Sequence, residues 1–319
     1  MSTKPKKFDI ITVGGATRDI MFYSSEGELV KTNNPAKSRL LAFEYGAKLM
    51  MDNLFQSFGG GAANTAVSFA SLGLKTAVIC RVGDDDNGET VIKNFKKRNV
   101  DASYITKDKK AATGFSVIIT ADNSVREHVI FTHRGANNNL SVKDLNLDKV
   151  TADWLYVSSL PKINWEKIME ALIKTKKNIV WNPGNNQLKD QVKMKRFLKR
   201  TQILVVNRDE AMEFKKLKSI KSLIKYIHDL GVKMAVITEG EVGAYVYDGK
   251  KYYFMKARSA KAVDTVGVGD AFSAAFTSAL VCGKNIKEAL SWGMRNSASV
   301  VSQIGAQNGV LTRKQITRK

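Results

Sequence analysis

The chain has 319 residues, of which 44% are hydrophobic and 25% charged, enough apolar content for a sizeable core in one large or two smaller globular domains. Lysine and arginine outnumber aspartate and glutamate by 51 to 30, a formal net charge of +21. The basic residues are dispersed among acidic ones without interleaved aromatics, so a solvated basic surface is expected and nucleic-acid binding is not.

No apolar run is long enough for a membrane span; Ala271–Cys282 is the best candidate, and Ser273, Thr277 and Ser278 interrupt it. The basic stretch Met1–Lys7 leads into a short strand-like run containing Asp9, which is not a signal-peptide pattern, and the cytoplasm is the expected location. Cys80 and Cys282 lack any C-x-x-C spacing, so both are expected as buried small hydrophobes rather than as disulfide or zinc partners. His128, His133 and His228 are too scattered to suggest a metal cluster.

In chain order, Phe8–Val13 reads as a buried strand that ends in the turn Gly14–Gly15, followed by Asp19. Strand ends of this kind face the ligand crevice of an open parallel sheet, so Asp19 is a candidate for accepting substrate hydroxyl hydrogen bonds or, more plainly, a turn carboxylate. From about 21 to 58 the pattern weakens into short strands away from the main sheet. A second glycine loop, Gly59–Gly60–Gly61, then enters a small-residue helix that carries Asn64.

Thr76–Cys80 is a strand, and the acidic turn Asp84–Asp85–Asp86 precedes a helix over Glu89–Arg98. These aspartates lack calcium-loop spacing and sit where a helix start favours negative charge, so no metal is assigned to them. Thr113–Ala121 and Arg126–Thr132 read as a hairpin around Asp122–Asn123–Ser124. With the earlier short strands, this segment (about 113–134) forms a small β-sheet lid that would keep water from the crevice.

From Trp154 onward strands and helices alternate, the pattern of a doubly wound sheet flanked by helices. Asn207 and Glu210 fall just past a strand end, placed either to hold water or Mg²⁺ near phosphates or to cap a helix. Thr238, Gly240 and Gly243 belong to a glycine-bearing turn that would pass close to a nucleotide or simply close a hairpin.

The most informative stretch is Asp264–Thr265–Val266–Gly267–Val268–Gly269–Asp270, followed by alanine-rich Ala271–Leu280. It reads as a tight loop feeding a helix N-terminus, where unpaired amides and the helix dipole favour an anion. An aspartate in an anion-binding turn would repel the ligand unless it serves as a base, and phosphoryl transfer needs both an amide cradle and a carboxylate to accept the attacking hydroxyl's proton.

Taken together, Gly59–Asn64, Asn207–Glu210, Thr238–Gly243 and Asp264–Asp270 resemble, in family order and over nearly the whole chain, the PfkB carbohydrate kinases, the ribokinase-like family. That resemblance implies a three-layer α/β sandwich with a mostly parallel central sheet and a β-lid, built as a single domain over 1–319, with ATP as donor and Mg²⁺ as cofactor. It implies Asp270 as general base and the amides of Gly267, Val268 and Gly269 as an anion hole. Asp19, Gly60 and Asn64 then match substrate contacts; Thr238, Gly240, Gly243 and Asn296 match the ATP site; Asn207 and Glu210 match the Mg²⁺ and phosphate element. Asp264, Val266 and Gly305 match a monovalent-cation site of the kind that takes K⁺.

The expected substrate is a small sugar. A nucleoside is the alternative, with Phe22, Phe43, Tyr45 and Phe115 as candidate base-pocket aromatics. A sugar-binding regulatory protein without turnover is a remoter reading, disfavoured by the retention of Asp270 and both loop glycines. Ribokinases proper usually carry Lys where this chain has Gly61, and a glutamate near Tyr156–Ser159, which counts against ribose itself. Exposed lid strands favour edge pairing, and hence a homodimer through the lids.

Overall fold

The computed structural model describes residues 6–32, 39–120, 128–147 and 149–318. Eight strands form the main sheet in the order Tyr252–Lys256, Gly243–Tyr247, Met234–Glu239, Ile203–Asn207, Asn178–Trp181, Val150–Val157, Lys6–Val13, Thr76–Ile79. The first three are joined antiparallel and all later pairs are parallel.

The strand sequences explain why helices cover both faces. Ile203, Leu204, Val205 and Val206 are all buried, as a parallel strand clad on both sides requires. With the two-residue period, Leu204 and Val206 point into a layer made by the helices Trp165–Lys174, Gln191–Leu198, Arg208–Phe214 and Ile220–Asp229. Ile203 and Val205 point into the opposite layer, made by Gly61–Ser71, Val268–Val281 and Ile286–Val301. Trp165, Trp181 and Phe197 anchor the first layer with ring centroids 5.6–6.4 Å apart, contacts worth about 0.5–1.5 kcal/mol each beyond their burial.

A second, four-stranded sheet has the order Val129–His133, Gly114–Thr120, Thr17–Tyr23, Asn53–Gly59, and a ribbon pairs Glu28–Lys31 with Arg39–Ala42. The excursion from the main sheet therefore starts at Thr17 rather than Met21. Asp19 lies within a strand of the small sheet, not in the turn before it. The strands of the expected hairpin do pair antiparallel, while its Asp122–Asn123–Ser124 turn falls outside the described residues.

The acidic turn is a helix start. Asp85 caps the helix Asp86–Lys97, accepting Gly88 N at 2.8 Å through one oxygen and Thr113 N at 2.8 Å through the other. Cys80 is buried, which pushes its thiol up to about 12. Cys282 departs from expectation: it is only half-buried, and its Sγ accepts from Arg313 Nη2 at 2.8 Å. No helix among the described residues is long and apolar enough to cross a membrane.

Candidate active site

Gly267 stands at the N-cap of the helix Val268–Val281 with φ of 75°, a left-handed conformation that suits glycine. A Cβ there would sit 2.3 Å from Ala306 Cβ, so no larger residue fits without moving the tail. Ala271 is the first residue of this turn to bond back to a helix carbonyl, Gly267 O at 2.9 Å, while Val268 N reaches Thr265 O only at 3.5 Å. The preceding amides open the helix without an i→i−4 acceptor, and the space around Gly269 is clear for 4 Å. A helix N-terminus in this state favours an anion.

Asp270 lies in the same first turn. Its Oδ2 accepts from Asn64 Nδ2 at 2.8 Å, Asn64 Oδ1 accepts from Gln307 Nε2 at 3.1 Å, and Gln307 Oε1 accepts from Asn94 Nδ2 at 2.9 Å. This chain of amides turns the NH₂ of Asn64 toward the carboxylate. Burial raises the Asp270 carboxyl to about 6, the Asn64 bond opposes that rise, and the nearby Glu210 charge adds to it. A carboxylate ionised near neutrality, yet basic enough to take a proton, has the properties of a general base. Beneath it, Tyr156 and Ser273 share a 2.7 Å hydrogen bond and Ser273 Oγ donates to Asp270 O at 3.1 Å.

Two cavities meet at the loop before this helix. A larger one, about 380 Å³, is lined by Asn207, Thr238, Gly240, Gly243, Thr265, Val268, Gly269 and the apolar side of Ile286–Val301. A smaller one, about 270 Å³, is lined by Asp19, Gly60, Asn64, Ser116, Arg134 and Val266 among others. Val266 lines one cavity while Thr265, Val268 and Gly269 line the other, so the loop is the partition between the two.

In the smaller cavity Asp19 is 4% exposed and accepts from Thr17 Oγ1 at 2.8 Å. Burial raises its carboxyl, while the hydroxyls of Thr17 and Ser116 pull it back. Gly60 takes φ of 90°, and a Cβ there would be 2.4 Å from Gly15 O. The glycine thus lets the helix Gly61–Ser71 start directly against the turn that follows the first strand.

Asn207 and Glu210 form a reciprocal capping box, with Glu210 N to Asn207 Oδ1 at 2.8 Å and Asn207 N to Glu210 Oε2 at 2.9 Å. Capping is therefore established for this pair, and Asn207 also lines the larger cavity. Burial raises the Glu210 carboxyl and the adjacent Asp209 charge adds to it. The Glu210 charge is felt at Asp270, although neither carboxylate is in the lining of the two cavities. Among the described residues no three His, Cys, Asp or Glu side chains gather as a metal cluster.

Asp264 is 4% exposed, and its two oxygens accept Val266 N at 2.9 Å and Gly305 N at 2.8 Å. The carboxylate clamps the loop to the tail. Asn296 does not line the larger cavity. It is fully buried, donating to Ser68 Oγ at 3.0 Å and Ala271 O at 2.9 Å and accepting Leu311 N at 2.9 Å; its neighbours Met294, Ser297, Ala298 and Val301 form the wall instead. None of Phe22, Phe43, Tyr45 and Phe115 lines the smaller cavity, and Tyr45 is wholly exposed.

Sequence reading missed Ser116, Thr132, Arg134, Asn137 and Ser159 in the smaller cavity, and Ala257, Arg258, Ala260 and Ala262 in the larger. Asn137 had a faint signal, an amide directly after Gly135–Ala136 where the chain returns to the main body. In the structure it bridges Ala16, accepting its N–H at 2.9 Å and donating to its carbonyl at 2.8 Å.

The fold is of ribokinase-like architecture. Over residues 33–313 the chain matches the model of the pfkB family carbohydrate kinases. It is 30% identical to a ribokinase of Haemophilus influenzae over 280 residues, 85% of this chain and 89% of that one. It is 26% identical to a 5-dehydro-2-deoxygluconokinase of Bacillus licheniformis, spanning 98% of this chain and 95% of that one. Among solved structures, Arabidopsis thaliana ribokinase complexed with ribose and ATP superposes with a TM-score of 0.79 at 22% identity, covering 98% of each chain. The chain therefore belongs to the pfkB family, and it is an ATP-dependent carbohydrate kinase.

Proposed function

We propose that this kinase moves the γ-phosphoryl group of ATP to a hydroxyl of a small sugar, with Asp270 as the base. The observation that carries the reading is the place of Asp270 in the first turn of the helix Val268–Val281, whose Val268 and Gly269 line the larger cavity, with its carboxylate bonded to Asn64, which lines the smaller. The larger cavity takes the nucleotide, with Thr238, Gly240 and Gly243 along its wall, and the smaller takes the acceptor, with Asp19, Gly60 and Asn64 in its lining.

In this mechanism Asp19 and the polar lining orient the acceptor so that one hydroxyl faces Asp270. Asp270 accepts the hydroxyl proton as the oxygen attacks the phosphorus in line. The amides of Gly267, Val268 and Gly269 stabilise the charge on the equatorial oxygens of the transferring group. Mg²⁺, bound with the nucleotide beside Asn207 and Glu210, would neutralise phosphate charge. The small sheet acts as a lid over the acceptor, and excluding water there suppresses hydrolysis of ATP. The monovalent-cation reading rests on the junction of Asp264, Val266 and Gly305 and is tested by comparing rates in K⁺ and Na⁺ at equal ionic strength.

The outer strands of the small sheet carry Leu54, Phe55, Val129 and Phe131, which are 37–60% exposed. An apolar sheet with open edges is best covered by a second copy, so the active form is proposed as a dimer through the lids, measurable by light scattering.

The experiment for the reaction is ADP release with Mg-ATP over a panel of sugars, sugar acids, sugar phosphates and nucleosides, for the native chain and Asp270→Asn. Turnover of one acceptor that falls roughly 10²- to 10⁴-fold on substitution supports the base. Sugar binding without turnover by the native chain contradicts it. The nucleoside alternative gains no aromatic platform from the cavity lining and would need a nucleoside to outrun every sugar.

A further inference from the structure

Among the described side chains that line the smaller cavity, two carry charge: Asp19 and Arg134. Arg134 ends the strand Val129–His133 at the return from the small sheet, and its backbone is held firmly. Arg134 O accepts Asn137 N at 3.1 Å, Ala136 N donates to Ala112 O at 2.7 Å, and the Asn137 side chain grips Ala16 on both its N–H and its carbonyl. The guanidinium itself reaches across to the main body, where Nη2 donates to Ser159 Oγ at 3.4 Å. That is a long bond to a neutral hydroxyl. Among the described residues no carboxylate lies within ion-pair distance of Arg134.

A half-buried guanidinium without a counter-charge is an expensive way to build a pocket wall for a neutral ligand. The same group, preorganised by a fixed backbone, is a forked donor matched to the planar or tetrahedral oxygens of a carboxylate or phosphate. Asp19 and Asp270 both repel such an anion, so Arg134 is the group in this lining that provides a counter-charge.

We propose that the acceptor is an anionic sugar, one that carries a carboxylate or a phosphate in addition to the hydroxyl that is phosphorylated, and that Arg134 binds this anionic group. Asp19 then reads the hydroxyls, Arg134 reads the charge, and the pair fixes which end of the sugar is presented to Asp270. The inference rests on the phosphotransfer reading above and narrows its substrate.

The test uses matched pairs of acceptors: fructose with fructose 6-phosphate, and 3-deoxyfructose with 2-keto-3-deoxygluconate, followed by ADP release for the native chain, Arg134→Gln and Arg134→Lys. The native chain is expected to prefer the anionic member of one pair, and the responding pair identifies phosphate or carboxylate. Arg134→Gln should lower kcat/KM for that acceptor roughly 10- to 100-fold, mainly through KM, and lower it much less for the neutral partner. Arg134→Lys should restore part of the loss while an unaltered melting curve shows that both variants fold.

Preference for the neutral members, with turnover still abolished by Asp270→Asn, would leave the kinase reading standing and overturn this inference alone. An equal loss on charged and neutral acceptors would also overturn it, because Arg134 would then act on the transferring phosphoryl group or on the fold. Silence on every acceptor by a chain that binds ATP would overturn both.

Discussion

The two cavities on either side of the Thr265–Gly269 loop are assembled in different ways. The larger cavity is drawn from residues 207–301, mostly from turns at the ends of adjacent main-sheet strands and from faces of two helices. The smaller cavity gathers pieces of the first strand turn, the start of the helix Gly61–Ser71, all four strands of the second sheet and the loop at Val266. A site built on one sheet inherits its geometry from the sheet, whereas a site shared between two sheets is set by how those sheets are tied. Here the ties are the Asn137 bridge to Ala16 and the Asp85 bridge to Thr113.

The largest effect expected on the shared partition comes from Gly267→Ala. The added methyl meets Ala306 at 2.3 Å in a left-handed backbone, so the loop must shift. Steady-state kinetics should show a kcat loss of roughly 100-fold, since displacement of about 1 Å is enough for that. An equivalent change on the wall of the larger cavity, Gly240→Ala, meets nothing within 4 Å and should cost far less, despite a positive φ of 49°. Similar losses at both positions would remove the distinction between the partition and its flank.

A smaller effect is one of stability, with opposite sign to activity. Asp270 keeps its proton up to about pH 6 in the folded chain but ionises near 3.8 unfolded. Stability from this group is therefore highest below pH 3.8, falls as pH rises through the window from 3.8 to about 6, and remains low above it. Asp270→Asn should stabilise the fold by about 2 kcal/mol at pH 7, allowing for the partial access of water to this carboxyl, and by almost nothing at pH 3.5. Denaturant titration at the two pH values reads the difference. A destabilised Asp270→Asn at pH 7 would mean that the carboxylate serves the fold.

How far each side was legible in the sequence follows from the same contrast. Gly267, Gly269 and Asp270 act within one helix turn, and a turn's backbone demands are written in adjacent residues. Asn207 was visible for the same reason, since a capping box needs only residues three apart. Asp19 was found, but its place in the small sheet was not, because nothing local says that the chain leaves the main sheet at Thr17. Arg134 escaped because its meaning depends on the Asn137 bridge, which joins residues 121 positions apart. Asn296 shows the converse: it sits on the helix whose face lines the larger cavity, yet its own amide is spent on Ser68, Ala271 and Leu311.

The most direct test of Asp270 as the base between the cavities is the pH profile of kcat/KM with Mg-ATP saturating, measured for the native chain and Glu210→Gln. The acid limb should break near pH 6, and removing the Glu210 charge should move the break to lower pH, because that charge helps to raise the Asp270 carboxyl. A break near pH 4, or one at pH 6 that Glu210→Gln does not move, would contradict a buried Asp270 as the proton acceptor.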